Sequence, residues 1–178
     1  MVSQLEATPI NPPRTEPYSI AGLIQVFTSP HRSFFTNVIA QALRIAGQGT
    51  PVLVVQFLKG GIGQGHQHPV RLGQHLDWIR CDVPRYIDTP ELDEAESIAL
   101  RELWQYTTDV VSQGKYSLVV LDELSLAINF GFISQAEVLA FIKQRPSNVD
   151  LILTGPKMPQ ALLDIADQIT EIRRSHQP

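Results

Sequence analysis

The segment Gly22-Leu23-Ile24-Gln25-Val26-Phe27-Thr28-Ser29-Pro30-His31-Arg32-Ser33-Phe34-Phe35-Thr36 runs from an apolar stretch through a short loop into a helical pattern. That is the layout of a strand, a phosphate-binding loop and a helix. A working loop of this kind supplies glycines that let backbone N–H groups converge on phosphate, a Lys for charge and a hydroxyl for Mg²⁺. Here Ser29 and Ser33 stand at the glycine positions, Phe34 at the Lys and Phe35 at the hydroxyl, with Thr36 next in line. The Cβ atoms of Ser29 and Ser33 obstruct close backbone approach, and Pro30 removes one N–H donor. Each charge-assisted hydrogen bond so lost is worth about 1.5–3 kcal/mol. Together the changes are expected to abolish ordinary ATP affinity. Arg32, His31 and Lys59 are cations that could reach phosphate from new directions. The candidate phosphate-site residues are therefore Thr28, Ser29, Arg32, Ser33, Thr36 and Lys59.

Working outward, Ile20 to Phe27 reads as a strand buried on both faces. Ser33 is the expected N-cap of a helix whose stripe is Phe35, Val38, Ile39, Ala42, Leu43 and Ala46, closed by Gly47 and Gly49. Phe35 thus has a structural use, whereas Phe34 falls off the stripe and is expected to fill the vacated phosphate space. Val52 to Phe57 is a second buried strand, completing one βαβ unit. A glycine-rich loop over 60–69 carries His66 and His68, with His75 beyond. Their spacing in a flexible loop lacks the fixed geometry of a metal site. Trp78 to Val83 and Arg85 to Ile87 read as a short helix end followed by a strand. Thr89-Pro90-Glu91 reads as the start of a helix to about Gln113, with Leu92, Ala95, Ile98, Ala99, Leu103, Tyr106 and Val110 on one face. Tyr116 to Leu121 forms a strand that delivers Asp122 and Glu123 at its end. Ser134 and Glu137 make a capping box for a helix stopping before Pro146. Val149 to Thr154 is a strand, Pro159 opens a helix, and Ile169 to Ile172 is a last strand. This alternation is that of a doubly wound α/β fold with ligands beyond the strands' carboxyl ends.

The 178 residues, 43% hydrophobic, suit one domain, expected over residues 18–178. Residues 1–17 carry Pro9, Pro12, Pro13 and Pro17 and are expected to form a mobile arm. A formal net charge of −4 with no long basic run argues against nucleic-acid or anionic-membrane partners. The single Cys81 forms no internal disulfide, no basic-then-apolar leader is present, and no apolar run approaches the roughly 18 residues of a membrane span. The chain reads as cytoplasmic.

Asp122 and Glu123, after Leu118-Val119-Val120-Leu121, have the form of a strand end that holds Mg²⁺ beside nucleotide phosphates. With these residues in view, the chain resembles the P-loop-type ATP:corrinoid (cob(I)alamin) adenosyltransferases. The resemblance rests on Gly22 to Thr28, on Ala42 to Gly49 and on Val54-Val55-Gln56-Phe57-Leu58-Lys59-Gly60. It continues through Leu118 to Leu124, Glu137 to Leu139 with Arg145-Pro146, and Leu153-Thr154-Gly155 followed by Ala161 to Arg173. It implies a RecA-like P-loop NTPase fold, a mostly parallel sheet flanked by helices, a homodimer, and transfer of the adenosyl group of ATP to corrinoid cobalt with Mg²⁺. The departures fall on the chemistry. The family's Thr-Gly-Asn-Gly-Lys-Gly-Lys-Thr-Thr is replaced over Thr28 to Thr36, its Thr-Gly-Arg appears as Thr154-Gly155-Pro156, and its aromatic segment has no clear match in Arg80 to Asp93. The expectation is a non-catalytic relative that binds a protein partner or small effector without a cofactor. Its alternative is an active enzyme using ATP, corrinoid and Mg²⁺, with Asp122 and Glu123 on the metal only when nucleotide binds.

Overall fold

The computed structural model describes residues 21–173. The expected proline-rich arm lies outside the described residues. In chain order the elements are β1 Ile24–Ser29, α1 Thr36–Gly47, β2 Val52–Gln56, β3 Val70–Leu72, β4 Leu76–Arg80 and α2 Glu94–Ser112. They continue with β5 Leu118–Asp122, α3 Leu124–Asn129, α4 Gln135–Gln144, β6 Asp150–Pro156, α5 Gln160–Leu163 and β7 Gln168–Glu171. The seven strands form one sheet in the order β3-β4-β2-β5-β6-β1-β7. Every pairing is parallel except β3 with β4.

The near-continuous apolar runs make sense because both faces of the sheet are covered. Strand residues alternate between two apolar clusters. Val52, Val54, Leu118 and Val120 pack with Phe35, Val38, Ala42 and Ala46 at and along α1. Leu53, Val55, Val119 and Leu121 pack on the opposite face with residues of α2, α3, α4 and α5. β6 lies between β1 and β5, so the loop after β1 and the carboxylates after β5 are brought together over an intervening strand.

Several boundaries differ from expectation. β1 begins at Ile24 and extends to Ser29, because its ladder with β6 runs on to Pro156. Ahead of it, Gly22 presses on the Val149 backbone, where an added Cβ would lie 2.3 Å from the carbonyl oxygen. α1 starts at Thr36, with Phe35 as N-cap and no side-chain cap, so Ser33 does not cap it. Phe35 is only 3% exposed, and burying its ring is worth about 1.5–3 kcal/mol, which outweighs a capping bond of about 1 kcal/mol. Leu76 to Arg80 is a strand rather than a helix end, paired parallel to β2 and antiparallel to β3. Arg85 to Ile87 forms no strand; Ile87 is buried in a loop, its N–H donating to the Leu58 carbonyl. α2 is capped by Asp93 in a reciprocal box with Glu96, not by Thr89. Its buried face is Leu100, Leu103, Trp104, Thr107, Val110 and Val111, while Ile98 is exposed. The Ser134–Glu137 capping box of α4 forms as read from the sequence. α3, a six-residue helix directly after Glu123, was not anticipated.

Candidate functional site

Strands β1, β2, β5 and β6 end side by side, and residues at and just beyond their ends make one polar cluster. β5 delivers Asp122 and Glu123, which are 4% and 2% exposed. Glu123 adopts φ 60°, ψ 27°, a left-handed conformation that costs a β-carbon-bearing residue roughly 1–3 kcal/mol. It turns the chain from β5 into α3. Its N–H donates to Thr154 Oγ1 at 2.9 Å, and the same hydroxyl donates to Asp122 Oδ1 at 2.9 Å. Thr154 comes from β6, the strand beside β5, so one buried hydroxyl holds both members of the carboxylate pair.

The remaining acceptor positions are taken by cations and an amide. Asp122 Oδ2 receives Lys59 Nζ and Gln56 Nε2, each at 2.7 Å. Gln56, 3% exposed at the end of β2, turns its Oε1 toward Trp78 Nε1 at 2.9 Å and Arg80 Nε at 2.8 Å. Glu123 receives Arg32 in a two-point grip, Nε on Oε1 at 2.5 Å and Nη2 on Oε2 at 2.9 Å. Arg32 Nη1 donates to the Ile87 carbonyl, and its guanidinium lies 4.1 Å from the centroid of the Tyr86 ring. Burial works against the Arg32 charge, but the hydrogen bonds and charge of Glu123 outweigh it and hold the pKa above its ordinary value. Burial, then the Glu123 charge, pushes the Tyr86 phenol up to about 12.

The loop itself is shaped by its own side chains. Ser29 Oγ donates to the His31 carbonyl at 2.6 Å, and Thr28 Oγ1 to the Gly155 carbonyl at 2.9 Å. Among the described residues the non-glycine positions with positive φ are Glu123 and Lys157, so the loop from Ser29 to Phe35 contains no left-handed residue from which an anion nest is built. Ser33 is half-buried and Thr36 is exposed in the first turn of α1. Phe34 does not fill the space expected of it. It is 70% exposed, with Lys59 Nζ 5.1 Å from the centroid of its ring. An apolar ring beside paired charges gains nothing from entering them.

Of the candidates from sequence, Arg32 and Lys59 meet Glu123 and Asp122, whereas Thr28, Ser29, Ser33 and Thr36 make no contact with the carboxylates through hydrogen bonds. Gln56, Thr154 and Tyr86 were missed. The signal for the first two was present, since each is a polar residue placed inside or at the end of a buried apolar run. Gly155 after Thr154 has φ 136° and lies where an added Cβ would come 2.2 Å from Ser125 Oγ, so this close approach requires glycine. His66 stacks near Tyr106, with ring centroids 5.2 Å apart. No group of three or more His, Cys, Asp or Glu among the described residues is arranged to hold a metal ion. No helix among them is long and apolar enough to cross a membrane.

A mostly parallel sheet flanked by helices, with a strand-to-helix loop facing a carboxylate strand end across one intervening strand, defines an α/β protein of the P-loop NTPase type. Residues 21–178 match the family described as ATP:corrinoid adenosyltransferase BtuR/CobO/CobP, and the chain belongs to that family. It is 28% identical over 152 residues to the corrinoid adenosyltransferase of Escherichia coli (strain K12), covering 85% of this chain and 76% of the relative. It is 29% identical over 152 residues to corrinoid adenosyltransferase CobA of Salmonella typhimurium (strain LT2), with the same coverage of 85% and 76%. An uncharacterized protein of Nostoc sp. (strain PCC 7120) is 26% identical across 89% of this chain, which matches 46% of that longer protein.

Proposed function

We propose that this chain is a non-catalytic member of the adenosyltransferase family, a binding or regulatory homodimer that has lost ordinary ATP binding. The observation that carries the proposal is the pairing of Arg32 with Glu123 and of Lys59 with Asp122. The carboxylates that would face Mg²⁺ are already supplied with internal cations, and Asp122 accepts three hydrogen bonds in all. A metal entering there would have to displace Lys59 or Arg32 from a carboxylate. The residues present therefore fit a magnesium nucleotide poorly. Phe34 and Phe35 at the former Lys and hydroxyl positions point the same way. The homodimer rests on the family resemblance alone.

The test is calorimetric titration of the full chain with ATP and Mg²⁺, together with its mass in solution. The expected result is a dimer with no saturable heat up to millimolar nucleotide; micromolar binding overturns the proposal. A second reading is favoured by the retention of both strand-end carboxylates beside two cations, and by relatives named corrinoid adenosyltransferases. In that reading Arg32 and Lys59 release their partners to bind phosphate, and Asp122 and Glu123 hold Mg²⁺. It requires adenosylcobalamin to form from reduced cobalamin and ATP, and to stop forming in Asp122→Asn.

A further inference from the structure

Beside the paired carboxylates, an open cavity of about 420 Å³ lies between α1 and the ends of β2 and β4. Its walls divide by chemistry: Phe34, Ile39, Leu43 and Trp78 are hydrophobic or aromatic, while Arg80 and Lys59 are cationic. Two groups of this cavity wall face solvent and are free to meet a ligand. Phe34 is 70% exposed although nothing polar about its ring favours water. Arg80 donates through Nε to Gln56 and its guanidinium lies 5.8 Å from the centroid of the Trp78 ring, while its two terminal nitrogens open to solvent with no protein acceptor among the described residues. The other partly buried arginines, Arg32, Arg85 and Arg145, all donate from terminal nitrogens.

Charge counting narrows the occupant. Lys59 is matched by Asp122 at 2.7 Å, so one positive charge, that of Arg80, remains uncompensated in the lining. One negative charge balances it. A polyphosphate would bring surplus negative charge against Asp122. The two free nitrogens of a planar guanidinium suit a carboxylate end-on, and aromatic walls suit a ring in stacked or edge-on contact. The volume lies within the range of about 300–1,000 Å³ usual for small-molecule sites. The geometry points to a binding site for an aromatic monocarboxylate, its carboxylate on Arg80 and its ring among Phe34, Ile39, Leu43 and Trp78. This deepens the proposed binding role and rests on it in that nucleotide is not the occupant.

The full chain is titrated with 1-naphthoate by calorimetry and by tryptophan fluorescence, which Trp78 reports from the cavity wall. Saturable binding at one site per chain is expected. Arg80→Ala should weaken it about tenfold or more, the loss of a charge-assisted hydrogen bond. Phe34→Ala, at an exposed position that cannot unfold the core, should weaken it several-fold. The neutral 1-naphthamide should bind the unchanged protein at least tenfold more weakly, a comparison independent of how any variant folds. No saturable naphthoate binding, or equal affinity for acid and amide, overturns the inference. Parallel titration with ATP and Mg²⁺ separates the two readings. Naphthoate binding alongside micromolar ATP binding keeps the anion site and ends the loss-of-nucleotide proposal, while absence of both does the reverse.

Discussion

Glu123 shows how far a single residue's setting can differ from what its neighbours in sequence suggest. It is 2% exposed, left-handed in backbone, and gripped at both oxygens by an arginine 91 positions earlier. A buried carboxylate is tolerable only while such a partner is present, since an unpaired charge in low dielectric costs several kcal/mol. Arg32→Ala is therefore expected to destabilise the protein by about 3 kcal/mol, measured by urea denaturation. The double variant Arg32→Ala, Glu123→Ala should lose less than the sum of the two single losses, by roughly 0.5–3 kcal/mol. Strict additivity would show that the pair does not act as a unit. Gln56 belongs to the same scale. A glutamine in a strand of valines is legible as an anomaly, but which groups it serves depends on two other strands, β4 and β5.

Elements were legible where their signals are local. The capping box of α4 spans three residues, and the stripe of α1 repeats every three or four, so both follow from the chain alone. α2 shows where locality fails. Thr89-Pro90-Glu91 is a plausible start, yet the helix begins four residues later, where Asp93 and Glu96 cap each other and Arg85 reaches in to bond Glu96 at 2.6 and 2.8 Å. Those Arg85 bonds, against the opposing effect of desolvation and with help from the Asp93 N–H, hold the Glu96 carboxyl below the usual carboxylate range. A carboxyl with a lowered folded-state pKa stabilises fully above its unfolded value of about 4.3 and loses that contribution as pH falls through the folded value. The stability gap between the unchanged protein and Glu96→Gln should therefore be open at pH 7 and close on acidification. A gap that stays constant down to pH 2 would show that the ion pair contributes nothing.

At the scale of the whole molecule the sheet has two unlike faces, one packed by α1 and the other by α2, α3, α4 and α5. Cys81, just after β4, lies in the larger cluster and is 1% exposed. Burial, then the nearby Asp82 and Glu96 charges, pushes its thiol up to about 12. The thiol is therefore held in its protonated form at pH 8, whereas the thiolate is the reactive form. The single cysteine of the chain should resist a disulfide exchange reagent in the native state and react stoichiometrically once unfolded in urea. Rapid native labelling would mean that this end of the sheet opens without global unfolding. Strand existence was largely readable here because a parallel sheet buried on both faces leaves unbroken apolar runs. The β3–β4 hairpin was not, since β3 is wholly exposed and lacks that mark.

The sequence by itself determined the α/β alternation, the apolar faces of the main elements, the family, and that Ser29, Ser33, Phe34 and Phe35 stand in the loop after β1. These depend on residue type and on spacing within one turn or one strand. Only the tertiary structure decided that Arg32 and Lys59 go to Glu123 and Asp122, that Thr154 and Gln56 complete the cluster, and that Phe34 stands in solvent beside a cavity holding Arg80. Those outcomes depend on the order of strands in the sheet, which puts residues 31 to 91 positions apart within hydrogen-bond reach of the carboxylate pair. No local periodicity carries that order, because it is set by which strands bury one another's faces.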